Sequence, residues 1–123
     1  MTSTASAVSY PDVTVADRWF RPLCDGKKTV EGRVRKGKWA DVKQGDVLMI
    51  SSSAKRNDEK KAFSVTGVRT YPGFEAMLTS EGLIHVLPGV RTLAKGVAEY
   101  RAFYDAEVES RSGVVALELR GGG

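Results

Sequence analysis

Lysine, glutamate and arginine fall close together in Lys28-Thr29-Val30-Glu31-Gly32-Arg33, the second part of a segment that starts at Gly26. Such a cluster is costly to fold unless solvent or a charged ligand faces it. Its chemistry suits a nucleotide. Lys28 and Arg33 supply donors for a phosphate or a base carbonyl, arginine bidentately, while Glu31 accepts from a base amino group or orients the lysine. The plainer reading is an Arg33–Glu31 ion pair on the outside of a strand. Catalysis is a third use, with Lys28 as base or nucleophile assisted by Glu31. That role needs a lysine whose pKa is lowered by burial or a nearby cation; Lys27 and Arg33 would help and Glu31 would oppose it.

Other residues extend the cluster. Arg33, Arg35, Lys36 and Lys38 make a basic run with Trp39 in it, which reads either as an electrostatic footprint for nucleic acid or as a solvated turn. Trp39 either stacks on a base or lids a barrel. Tyr100 and Tyr104, four apart on a helix, share a face and read first as core, with hydroxyls able to reach a cleft. Trp19 and Phe20 lie at core spacing. The single cysteine, Cys24, is expected to be buried as a small apolar side chain, and it excludes an internal disulfide. With one histidine, His85, in the whole chain, a metal site is not expected, and neither is a cofactor.

These residues must be positioned by one domain. The chain has 123 residues, 41% hydrophobic and 28% charged, with a net charge of +4. That range fits a single folded unit with a mild preference for anionic partners. No secretory signal or apolar run of about 18 residues is present, so a cytoplasmic, intracellular protein away from the membrane is expected. Residues 1–11 and 121–123 read as flexible ends around a domain at 12–120.

Thr14 and Asp17 resemble a capping box, after which Val15, Trp19, Phe20, Leu23 and Cys24 follow helical spacing to Gly26 as the C-terminal cap. Pro22 within that pattern predicts a kink or a tightened last turn. Residues 28–34 turn extended, and strict alternation sets Lys28 on the face opposite Glu31 and Arg33 unless the strand begins after Lys28. Val47 to Ile50 and Ala62 to Tyr71 read as strands joined by a mobile hairpin loop over 51–61, with a bulge at Gly67. Brief helices are expected from Phe74 to Gly82 and from a Thr92 cap through Tyr104, and Gly113 to Leu119 reads as a buried closing strand. The sum is an α+β domain with a small, mainly antiparallel β-sheet curled into a barrel and about three short helices.

Gly26 to Arg33, Gly37-Lys38-Trp39, Gly45-Asp46, Tyr71 to Glu75, Glu81-Gly82-Leu83, Val86 to Val90, Tyr100 to Tyr104 and Gly113 to Ala116 together resemble the ASCH domain family over roughly residues 12–119. The resemblance implies a PUA-like β-barrel with a cleft beside the motif G-x-K-x-x-E-x-R, in a family regarded as binding RNA or acting on nucleosides and RNA. Small bacterial relatives deacetylate N4-acetylcytidine, and one is reported as a ribonuclease. Their catalytic lysine aligns with Lys28, and three positions later, where they carry threonine, this chain has Glu31; Glu75 and Glu81 are the glutamates near the expected place of theirs.

The leading expectation is an RNA- or nucleotide-binding module, a monomer whose partner is RNA, single-stranded nucleic acid or a nucleotide. Lys27, Lys28, Glu31, Arg33, Arg35, Lys38, Trp39, Tyr100 and Tyr104 are its candidate contacts. The alternatives are a metal-independent amidohydrolase or ribonuclease using Lys28 and Glu31, and a coactivator-type protein-interaction module.

Overall fold

Alternating apolar residues build five strands: β1 (Ser9–Val15), β2 (Val30–Val34), β3 (Val47–Ser52), β4 (Lys61–Tyr71) and β5 (Val114–Gly121). In the computed structural model, which describes residues 6–54 and 59–121, they form one sheet in the order β1-β3-β4-β5-β2. Three of the four pairings are antiparallel, and β1 runs parallel to β3. The sheet curls into a half-barrel whose edge strands are β1 and β2. Among the described residues there are five α-helices rather than about three: α1 (Asp17–Asp25), α2 (Phe74–Glu81), α3 (Leu83–Val86), α4 (Leu93–Arg101) and α5 (Ala106–Ser112). None is long and apolar enough to cross a membrane.

Alternation sends side chains to two cores. Val115, Leu117 and Leu119 of β5 join Val13, Leu48, Ile50, Phe63 and Val65 under Phe20 and Leu23 of α1. Val114 and Ala116 face the other way and meet Val30, Phe74, Met77, Val86 and Tyr100. Each such large side chain contributes about 1.5–3 kcal/mol of burial. The β4 register shifts between Val65 and Gly67, the bulge expected there, which lets both Val65 and Val68 reach the first core. Gly26 caps α1 at φ 78°, with its N–H on the Leu23 carbonyl and the Lys27 N–H on that of Pro22. The Thr92 side chain caps α4 through the Lys95 N–H.

Several expectations are corrected. The stretch taken as a flexible start contributes β1 from Ser9 onward; Pro11 sits at a register irregularity on an edge strand, where a missing N–H is tolerated. Thr14 belongs to β1, and Ala16, without a side-chain bond, precedes α1. Cys24 is exposed, because Phe20 and Leu23 take the core face of α1. The last long helix stops at Arg101, leaving Phe103 exposed beyond it. Gly121 still belongs to β5, while residues 1–5, 122–123 and the 55–58 part of the hairpin loop lie outside the described residues.

The start of β1 hangs on Asp46, which is fully buried. Its carboxylate accepts from the N–H groups of Val8 and Lys43 and from Lys43 Nζ, each at 2.9 Å. Burial pushes its pKa up, but these donors hold it below the ordinary 3.8. Asp46→Ala should therefore cost about 1–3 kcal/mol in denaturant unfolding. A carboxylate with a depressed folded pKa stabilises in full above its unfolded value and loses that contribution as pH falls through the folded one. The gap between wild type and variant should thus shrink in acid; a gap constant with pH would contradict the assignment.

Candidate functional site

Between the edge strands β1 and β2 lies a cleft of about 320 Å³, bounded by α1 on one side and by α4 and its following loop on the other. Glu31 and Arg33 stand opposite Leu117 and Val115, so both project toward the concave face of the half-barrel. Lys28 precedes the regular strand, which starts at Val30, and this removes the conflict that strict alternation raises. The three charged groups meet. Lys28 Nζ is 3.2 Å from Glu31 Oε1 and Arg33 Nε donates to Glu31 Oε2 at 2.7 Å.

Lys28, only 2% exposed, spends its other donors on the carbonyls of Val30 at 2.7 Å and of Val86 in α3 at 2.5 Å. All three ammonium donors are thus engaged. Arg33 reaches across the gap, Nη2 to the Thr14 carbonyl of β1 at 2.9 Å, with its guanidinium 4.6 Å from the centre of the Trp39 ring. The side chain of Arg33 therefore spans the two edges that backbone pairing leaves apart. Its Nη1 has no partner among the described residues.

Charges respond to this geometry. Burial pushes the Glu31 pKa up, but Lys28 and Arg33 together hold it below the usual carboxylate range. Burial pulls Lys28 down against the attraction of Glu31. Burial works against Arg33 as well, yet pairing with Glu31 leaves its pKa raised. Tyr100 is 9% exposed, its hydroxyl has no partner among the described residues, and burial followed by the Glu31 charge lifts its pKa well above 10.

The ring of Tyr100 stacks on Phe74 at 3.9 Å between centroids, and Tyr104 follows at 5.6 Å. Gly32 makes room for this packing: a Cβ there would stand 2.7 Å from Met77 Cε and 3.0 Å from the Tyr100 hydroxyl. Because Thr29 and Arg35 bond to the β5 side, the intervening Gly32 turns its N–H and carbonyl to the open edge.

Of the nine sequence candidates, the cleft gathers Lys28, Glu31, Arg33, Tyr100 and Tyr104. Lys27, Arg35 and Lys38 are exposed outside it, and Trp39 lines a neighbouring groove while packing on the first core. Glu75 is exposed, and Glu81 is held by Arg69 at 2.6 and 2.8 Å and by Tyr71 at 2.5 Å, away from this cleft. Trp19, half-buried against both cores, lines the cleft with Lys28 Nζ 5.9 Å from its ring, and an Arg18–Glu99 ion pair joins α1 to α4 at the cleft. Helical spacing marked Trp19 as core, and its second role follows only from the placement of α1 beside the open edge of the sheet.

Glu31→Ala would leave the buried Lys28 and the half-buried Arg33 without their carboxylate. A loss of about 3–5 kcal/mol is expected in chemical unfolding, and a loss below about 1 kcal/mol would mean that water already solvates the triad.

The profile of the ASCH domain matches residues 13–121. Hypothetical protein PH0355 is 34% identical with a TM-score of 0.83, over 93% of this chain and 99% of that one. Protein PF0455 from Pyrococcus furiosus is 33% identical with a TM-score of 0.75, over 93% and 97%. ASCH from Zymomonas mobilis shares the fold alone, at 16% identity and a TM-score of 0.61 over 88% of this chain and 64% of that one. No curated protein matches. Matched by that profile over residues 13–121, the chain belongs to the ASCH domain family.

Proposed function

We propose that the protein binds RNA, seating one nucleotide in the cleft between β1 and β2. The family is generally linked to RNA binding. The observation that carries the reading is a pair of uncommitted donors in a buried, charged cleft: Arg33 Nη1 and the Tyr100 hydroxyl, both beside Glu31. No buried side-chain donor or acceptor among the described residues lacks a partner, so both atoms are reached by solvent, and a base or phosphate oxygen can take the place of water on them. Glu31 holds free lone pairs for a base amino group, Arg33 and Tyr100 donate to a carbonyl or phosphate oxygen, and Trp19 offers a ring for stacking. The outward main chain of Gly32 adds one donor and one acceptor along the base edge.

A hydrolytic role for Lys28 fits the same geometry less well. A lysine base needs a neutral amine with its lone pair aimed at the substrate, whereas the Lys28 nitrogen faces three oxygen acceptors. Burial lowers the Lys28 pKa, as such a base requires, but with its nitrogen turned to these three acceptors Lys28 serves as the fixture that orients Glu31. Incubation with N4-acetylcytidine should therefore leave the acetyl group in place; turnover that Lys28→Ala abolishes would reverse this assignment.

Binding itself is tested by titrating short single-stranded RNA at low salt. Tyr100→Phe keeps the stacked ring and removes only the hydroxyl, so affinity should fall by about 5–10-fold with thermal stability unchanged. Affinity should also decline with added salt. Binding that is indifferent both to the hydroxyl and to salt would overturn the proposal.

A further inference from the structure

Beside the cleft runs a second groove of about 420 Å³, and two consecutive residues, Phe103 and Tyr104, line both. Tyr104 is anchored by its stack on Phe74. Phe103 is 77% exposed, the most exposed of the large apolar side chains described. It borders both cavities. Trp39, another wall of the groove, has Arg33 at 4.6 Å and Lys38 at 5.1 Å from its ring centre, so the cation that closes the first cleft also props a wall of the second. Lys36 lines this groove, Asp105 is its one carboxylate, and the exposed Arg35 and Lys38 flank Lys36 in sequence.

An exposed phenylalanine alone needs no explanation. Here it is combined with a second aromatic wall, a cation-rich turn and direct continuity with a cleft already read as a nucleotide site. Aromatic platforms spaced along a basic track suit consecutive bases of a single strand, since every base offers a stacking face and each phosphate a charge for lysine. Resting on the proposed function, we infer that the ligand is a single-stranded RNA of at least two nucleotides. The cleft takes one base, and the groove between Trp39 and Phe103 takes its neighbour, with Lys36 on the intervening or following phosphate. A free nucleoside or mononucleotide would leave the second groove unused.

Cytidine monophosphate and a cytidine tetranucleotide, titrated in parallel, test the inference. The tetranucleotide should bind about tenfold more tightly or better, and Phe103→Ala, at an exposed site, should remove most of that gain. Lys36→Gln should lower the salt slope for the tetranucleotide by about 0.7 and leave cytidine monophosphate binding unchanged. Equal affinity for the two ligands, or a gain that survives both substitutions, overturns this inference while leaving the first cleft intact. Failure of both ligands to bind overturns the proposed function and the inference together. Light scattering supplies the other decisive outcome: a wild-type dimer dissolved by Phe103→Ala would mean that a second copy of the chain covers the groove, contrary to the inference.

Discussion

One carboxylate held between two cations at the place where the sheet does not close is the interaction on which this cleft depends. Glu31 touches Lys28 through one oxygen and Arg33 through the other. Removing charges from water is expensive, and such a cluster survives burial only when its hydrogen-bonding capacity is nearly filled. The Val30 and Val86 carbonyls do this for Lys28, and the Thr14 carbonyl does it for Arg33. Each acceptor comes from a different element: β2, α3 and β1. The triad therefore ties both sheet edges and a short helix to one small volume. What is left unfilled, one arginine nitrogen and the remaining lone pairs of Glu31, belongs to residues that line the cleft.

The helical side of the sheet makes that arrangement rigid. Glu109 of α5 accepts from the Phe74 N–H at 2.6 Å and from Arg101 at 2.7 Å, placing a negative charge at the N-terminus of α2 and linking it to the end of α4. Gly73 leaves the space this carboxylate needs, since a Cβ there would approach Glu109 to 2.7 Å. Phe74, so positioned, is the platform on which Tyr100 and Tyr104 stack. A chain of contacts thus runs from α5 through α2 to the two tyrosines of the cleft. It is made of ring stacking and hydrogen bonds, which also fix Tyr104 in the loop after α4, and this suits a site that must keep its shape before ligand arrives.

Local signals in the sequence were enough for the parts of the fold ruled by short-range physics. Gly26 as a left-handed cap, Thr92 as an N-cap, the bulge before Gly67 and the apolar run of β5 all depend on neighbours a few residues away. Elements defined by distant partners were not legible. β1 carries Pro11-Asp12 in its middle and looks like a break until its parallel pairing with β3 is known. α5 has little apolar surface, and its worth lies in Glu109, whose partner Phe74 is 35 positions away. At the site, residue types pointed to Lys28, Glu31 and Arg33, but only the late start of β2 explains how the lysine joins the other two. The roles of Trp19, Glu99 and Phe103 follow from α1 and α4 facing each other across the gap, which no periodicity encodes.

The most direct measurement is a crystal structure of the protein with a short cytidine oligonucleotide. A base should lie against Trp19 with the Tyr100 hydroxyl and an Arg33 nitrogen within hydrogen-bond distance, and Lys28 should remain on its three oxygen acceptors. An oligonucleotide bound elsewhere, with the cleft between β1 and β2 filled by water alone, would contradict the account.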